Sequence, residues 1–425
     1  MDASTIFGLR PELEAFLARF DDCFTRSDTR SHMTTYVSGQ LSDVERKNVE
    51  AMALAAGVPV RTLQEFLSQL KWKEDLVRTR LHEIVRDEHA HEHSIGIINE
   101  TSDDKKGVKT PGVQRQHLGC TGKLDNGIVT VHLSYVADDF HCLLDGELFL
   151  PESWSNDRER CREAGIPDEM VYRPKSEIAL ELYDRARANG VKFAWLTFDE
   201  WYGAKPAFLQ GLNSRDQYFV GETHGQFVAW TEEPAVTSRP FRRSGRGRSR
   251  KTPRLTANSP KSRYLEELVR HKKVFTEQPW EQWHLRDGDK GPMVWEVKRG
   301  SIWVKNEDGL PCGPWQLIVC RNVLNPTVVK YFISNSPPET PTSTLLLVAF
   351  SRWRVERCFQ DDKGEVGLDH YEGRRYTGLK RHLILSAVSL LFLSRVNQGL
   401  RKKKCGMDCV PGSHGDLCRG AKLVA

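Results

Sequence analysis

Arg352, Glu356 and Lys363 have the residue types and spacing to handle a phosphodiester. They fall in FSRWRVERCFQDDKGEVGLDHYEGRRY, residues 350–376, which the pattern predicts to be helical. Trp353, Val355, Phe359 and Val366 offer apolar contacts, and no Pro or Gly interrupts the stretch before Gly364. The three residues stand at offsets of four and seven. At about 3.6 residues per turn, those offsets share one helix face. An acid framed by two bases on one face suits a site in which the acid holds a metal ion and the bases hold phosphates. The plainer alternative is a solvated face with an i,i+4 ion pair.

A second acid, Asp199, follows the apolar run FAWLTF. A strand over 193–198 delivers this carboxylate at its C-terminal end, where acids beside helices can share metal ions. Capping the N-terminus of a following helix is the alternative role.

These residues need a scaffold, and the chain supplies signals for one in order. Residues 1–93 are predicted to be helical, from LRPELEAFLARFDDCF through SDVERKNVEAMALAAG to VRTLQEFLSQLKWKEDLVRTRLHEIVRDEHA. Helices joined by a small-residue turn at Ala56-Gly57 fit a helix-turn-helix on DNA or a plain bundle, and periodicity does not separate the two. IGIIN is then a short buried strand leading into a polar segment, ETSDDKKG. NGIVTVHLSYV alternates as a second strand and DFHCLLDGELFLP follows as a third. A helix over KSEIALELYDRARANG precedes the strand that ends at Asp199. Residues 239–254, RPFRRSGRGRSRKTPR, are basic without acids and rich in Gly, Ser and Pro, which fits a loop that contacts phosphates. Residues 280–333 carry strand patterns separated by Asp-Gly and Gly-Pro turns, with five Trp from Trp280 to Trp315 suited to cross-strand packing.

At 425 residues the chain can hold two or three domains with real cores. A net charge of +5 does not announce nucleic acid, so local clustering carries that argument. Ten scattered cysteines suggest reduced thiols. The N-terminus lacks a basic-then-apolar leader pattern. The most apolar run, 383–393, is about 11 residues against the roughly 20 a membrane helix needs. These features predict a soluble cytoplasmic protein with no membrane partner. Cys405, Cys409, His414 and Cys418 near the C-terminus match no zinc spacing, and a disordered tail is the simpler expectation.

The stretch around Glu356 resembles the signature of bacterial insertion-sequence transposases of the DDE class: Tyr, two residues, Arg, three residues, Glu, six residues, Lys. Arg352, Glu356 and Lys363 match it, and Ala349 departs from it at the Tyr position. The phrases ERKNVEAMA, LQEFLSQLKW, TPGVQRQHLG (110–119) and TFDEWYG are similar to others of that family, so the resemblance covers roughly residues 16–396. It implies an α/β fold: an RNase H-like mixed sheet with helices on both faces, interrupted by a β-rich insertion and preceded by an all-α N-terminal domain. The implied boundaries are 1–93 for the helical DNA-binding domain, 94–232 and 345–400 for the catalytic domain, 233–344 for the basic loop and insertion, and 401–425 for the tail.

The same resemblance implies cut-and-paste DNA transposition. Double-stranded DNA (terminal inverted repeats and target) is the partner, a homodimer forms on DNA, and the chain is nucleoid-associated. Two Mg²⁺ ions about 3.5–4 Å apart, replaceable by Mn²⁺, are the cofactors. Asp199 and Glu356 are implied metal ligands. The position of the first catalytic Asp holds Asn99, a far poorer ligand; Glu100 beside it is the alternative acid, although strand neighbours point to opposite faces. Arg352, Lys363, Arg242, Arg243, Arg246, Arg248, Arg250 and Lys251 are implied DNA contacts. Rival readings are a decayed or domesticated transposase that only binds DNA, and a structure-specific nuclease of the same fold. Deleting residues 242–254 is expected to weaken DNA binding and flatten its salt dependence; an unchanged slope in a salt titration would mark the run as merely solvated.

Overall fold

The computed structural model describes residues 3–240, 252–288 and 291–407. Arg242, Arg243, Arg246, Arg248, Arg250 and Lys251, and the tail with Cys409, His414 and Cys418, lie outside the described residues. The chain divides into two compact units, one from Met1–Phe193 joined by the segment that begins at Trp353, the other from Ala194–Arg352.

The first unit is built on four antiparallel strands: β1 (Ile95–Asp104), β2 (Gln114–Leu118), β3 (Lys123–Ala137) and β4 (Phe140–Leu148). β3 is central. β1 pairs along it for ten residues, from Ile95↔Val136 to Asp104↔Gly127. On its other edge β2 takes the first part and β4 the second. β1 therefore runs well past IGIIN, and the polar segment expected to leave the sheet stays in it. Residues such as Asp103 and Asp104 carry little strand signal by themselves. The partner strand, Gly127–Thr130, supplies the hydrogen bonds that hold them.

One face of this sheet is covered by three helices, Glu74–Glu88, Lys175–Ala188 and Tyr376–Met407. They meet it at a buried carboxylate: Asp145 on β4 accepts from Arg78 Nε at 3.0 Å and from Arg185 Nε at 2.9 Å. The opposite face receives helix Trp353–Asp361.

The N-terminal region is helical, with Ala3–Ala18, Ser27–Gln40, Val49–Ala55 and Val60–Ser68 preceding Glu74–Glu88. Gly57, in the left-handed region at φ +66°, makes the turn between the third and fourth of these. Helix Tyr376–Met407 is the post they pack on. By length and composition it could cross a membrane, but its polar groups are spent inside the protein. Arg381 donates to the carbonyls of Phe66 and Leu67, orphan acceptors at the end of Val60–Ser68, and to that of Trp72 beyond it. His382 Nε2 donates to the Leu368 carbonyl, so its Nδ1 accepts from the Tyr36 hydroxyl at 2.8 Å. Gln40 bonds both Ser386 and Ser389.

The second unit begins with β5 (Trp195–Phe198), parallel to β6 (Phe219–Thr223). The remaining strands are β7 (Val228–Trp230), β8 (Val236–Thr237), β9 (Arg254–Leu255), β10 (Arg263–Tyr264), β11 (Glu281–Gly288), β12 (Gly291–Lys305), β13 (Pro311–Asn322) and β14 (Val329–Ser334). The antiparallel ladder β12–β13–β14 joins β6, so the β-rich segment extends the β5–β6 pair. Tryptophans do pair across strands here, Trp283 with Trp295 and Trp303 with Trp230. Trp280 instead lies between Lys298 and Arg321.

Asp145→Ala is expected to cost about 3–5 kcal/mol, because it removes the buried partner of Arg78 and Arg185 and leaves Arg78 only the exposed Asp75. Urea denaturation of the variant against the parent measures it.

Candidate functional site

Strand register sorts the first unit's candidates. Asn99 pairs with His132, and directly opposite residues of an antiparallel pair project to the same face. His132 meets Phe359 of helix Trp353–Asp361 at 5.2 Å between ring centroids. Asn99, Thr101 and Asp103, at period two, thus share the face that receives the Glu356 helix. Glu100 takes the other face, where Lys175 Nζ holds its carboxylate at 2.5 Å. Asn99 is buried, and its Oδ1 accepts from the Glu100 backbone N–H at 2.9 Å.

Helix Trp353–Asp361 buries Val355, Cys358 and Phe359, which leaves Glu356 exposed on the flank of the buried side. The expectation of one helix over 350–376 is corrected. Helix Thr342–Ala349 ends at Phe350, Arg352 lies in the turn that follows, and a π-helical turn, Asp362–Val366, carries Lys363. Gly367 then closes the turn at φ +79°, where a Cβ would come within 2.8 Å of Lys47 Cβ. Arg352, Glu356 and Lys363 therefore do not ride one regular helix face.

Lys363 Nζ donates to the Ser102 carbonyl at 2.8 Å and stands 3.1 Å from Asp103 Oδ1, so the lysine ties the π turn to β1. Burial pushes the Asp103 carboxyl up from its ordinary value, against the pull of Lys363 and Lys105. Asp362 is fully buried, and neither carboxylate oxygen has a hydrogen-bond partner. Burial, reinforced by Asp369, pushes it well above the usual carboxylate range. His132 is buried too, and desolvation lowers it to about 3, so it stays neutral.

In the second unit, Asp199 stands at the C-terminal end of β5. Its Oδ1 caps helix Glu200–Gly203, accepting from Trp201 N at 3.0 Å and Tyr202 N at 3.2 Å. The capping alternative is realised, and it coexists with the strand-end position. Arg352 Nε lies 3.8 Å from Glu222 Oε2 on β6, and Lys330 meets the same carboxylate at 2.5 Å. Both cations of the signature are thus already engaged by acids.

Asp103, Glu222, His132 and Lys175 escaped the sequence reading. Period-two spacing from Asn99 would have found Asp103 once β1 was carried beyond Glu100. No local signal marks Glu222.

Asp362 gives a signed prediction. A carboxyl raised in the folded chain contributes stability that is complete below its unfolded pKa and is lost as pH rises through the folded value. Asp362→Asn is expected to remove that slope, so the variant matches or exceeds the parent at pH 8 and loses the advantage toward acid. Denaturation midpoints across the pH range test it; a constant difference would refute the assignment.

Comparison with known proteins agrees with the scaffold. The chain is 36% identical over 214 residues to a Microchaete diplosiphon protein named probable transposase for insertion sequence element IS701, covering 47% of this chain and 53% of that relative. The chain thus spans about half the length of the curated relative it matches. A family described as DDE superfamily endonuclease matches residues 19–292, most of the chain. With its mixed sheet, flanking helices and helical N-terminal region, the protein belongs to the DDE superfamily endonucleases.

Proposed function

We propose that this chain is an insertion-sequence transposase that binds the ends of its element and is impaired in cutting them. The single observation that carries the second clause is the orientation of Asn99. Enzymes of this family use divalent metal ions. The positions that the signature assigns to the metal supply two carboxylates, Asp199 and Glu356, and one amide. An amide offers one neutral acceptor oxygen, and that of Asn99 is bonded to its own strand. Glu100 does not replace it, because its side chain points to the opposite face and is paired with Lys175. The donor set as it stands does not fit a two-metal site.

What the chain's own residues supply is positioning. The tie from Lys363 to β1 fixes the Glu356 helix over the face that holds Asn99. Asp199 is oriented by its two capping bonds. Both are rigid supports for acids that handle a phosphodiester. The basic run of residues 239–254 supports DNA contact by composition. The antiparallel ladder before Glu356 supports the cut-and-paste subgroup, with Mg²⁺ or Mn²⁺ as the ion, inverted repeats as the bound sequence and a homodimer as the active assembly.

The test is Mg²⁺-dependent nicking of a labelled element end. Asn99→Asp is expected to cut at least about a hundredfold faster than the parent, a barrier difference of about 2.7 kcal/mol. Adding Glu356→Ala should abolish that gain while end binding persists. Equal cutting by the parent and the Asn99→Asp chain would place the first ligand elsewhere and overturn the impairment.

A further inference from the structure

Two clefts open side by side in the first unit, of about 470 Å³ and 990 Å³, and they share Val108, Lys109 and Arg374. They lie between the loop after β1 and the loop before helix Tyr376–Met407. The smaller cleft is lined by Lys109, Arg160, Arg374 and Arg375 against one acid, Glu163. The larger adds Lys105 and Lys106. Its acids are Glu45, Asp104, Asp369 and Glu372, of which Glu372 is already paired with Arg46 and bonded by Asn48.

The cations have two different duties. Lys105 Nζ donates to the carbonyls of Asp369 and Tyr371, at 3.1 and 2.9 Å, pinning one loop to the other. The Arg160 guanidinium lies 3.7 Å from the centre of the Trp154 ring and donates to the Val108 carbonyl at 2.9 Å, which fixes the tip of the β1 loop. Arg375 donates to the Glu163 carbonyl at 2.9 Å. Lys106, Lys109 and Arg374 are exposed and make no ion pair among the described residues. Two loops are thus braced by three bonded cations and present three more that form no ion pair among the described residues.

We infer that this double cleft is a DNA-backbone track, in which Lys106, Lys109 and Arg374 contact successive phosphates of duplex DNA. The inference rests on the transposase reading and adds a contact surface separate from the basic run of residues 239–254. A base-binding pocket does not fit: Trp154 is buried, its indole N–H donates to the Val113 carbonyl, and Arg160 covers its face, so no aromatic surface is left for stacking. Exposed cations that form no ion pair, shared between two open clefts, suit sequence-independent phosphate contact.

The experiment is a salt titration of the full chain on a duplex carrying the element's end, comparing the parent with Lys109→Ala/Arg374→Ala. Each phosphate contact contributes about 0.9 to the slope of log K against log salt. The double variant is expected to lose roughly two units of slope and to bind at least about tenfold more weakly at low salt. Its thermal midpoint should hold, since neither side chain has an internal partner, and Lys109→Arg/Arg374→Lys should retain the slope. An unchanged slope overturns the track while leaving the transposase reading intact. A parent chain that binds no DNA overturns both. Weakened binding with a lowered midpoint counts against the track, because it traces the loss to folding.

Discussion

The ten-residue register between β1 and β3 is the constraint on which the candidate site depends. A shift of one residue would carry every side chain of β1 to the opposite face. It would put Glu100 under the Glu356 helix and Asn99 against Lys175. Burial on both sides fixes the register. Ile97 and Ile98 are both inaccessible although they point to opposite faces, so a slip would disturb two packed layers. The β3 residues opposite them, Leu133 and Ser134, are likewise enclosed. The chemistry available at position 99 is therefore decided by packing some distance from it.

Several parts of this arrangement were legible in the sequence for identifiable reasons. The run NGIVTVHLSYV is β-branched and aromatic along its length, and it forms the central strand. Asp199 sits where an apolar strand ends, and the same residue caps the next helix. In the N-terminal region Val60–Ser68 follows its apolar periodicity, whereas helix Ser27–Gln40 has little such pattern and the helix expected to open at Ser42 begins only after Asn48. What was not legible depends on partners remote in the chain. Residues 101–104 belong to a strand only because 127–130 lie beside them. The break at Arg352 and the π turn at 362–366 occur in a stretch whose composition favours a continuous helix. The turn is closed by Gly367, packed against Lys47, which is 320 residues earlier. Tertiary contact overrides local propensity in each case.

Ionised and ionisable groups carry an unusual share of this unit's interior. Asp145 is neutralised by two arginines from different helices, Asp103 by Lys363, and Glu74 by Lys380. Asp362 has no such hydrogen-bonded partner, and burial pushes its carboxyl well above the usual range. A buried pair contributes little net stability, because desolvation cancels much of the Coulomb gain, but it penalises wrong packing heavily. These pairs join elements far apart in sequence: helix Glu74–Glu88 to the sheet, and the π turn to β1. Their effect is to make one mutual placement of those elements acceptable and its neighbours costly.

That view also bears on why an amide at position 99 is tolerated. A carboxylate there would be buried against a neutral His132 and, without a bound cation, would pay the desolvation of a full charge. The amide avoids that charge and keeps a hydrogen bond to Glu100 N. The substitution that impairs the proposed chemistry is thus the one that relieves strain in the uncharged fold. Catalytic sites of this kind hold acids together against their own repulsion, and stability rises when one is neutralised. The surfaces that would hold DNA, from the double cleft to the tie between Lys363 and β1, do not depend on charge at position 99. On the proposed function, cutting can therefore be lost at a single residue while the scaffold and the cations of the double cleft remain whole.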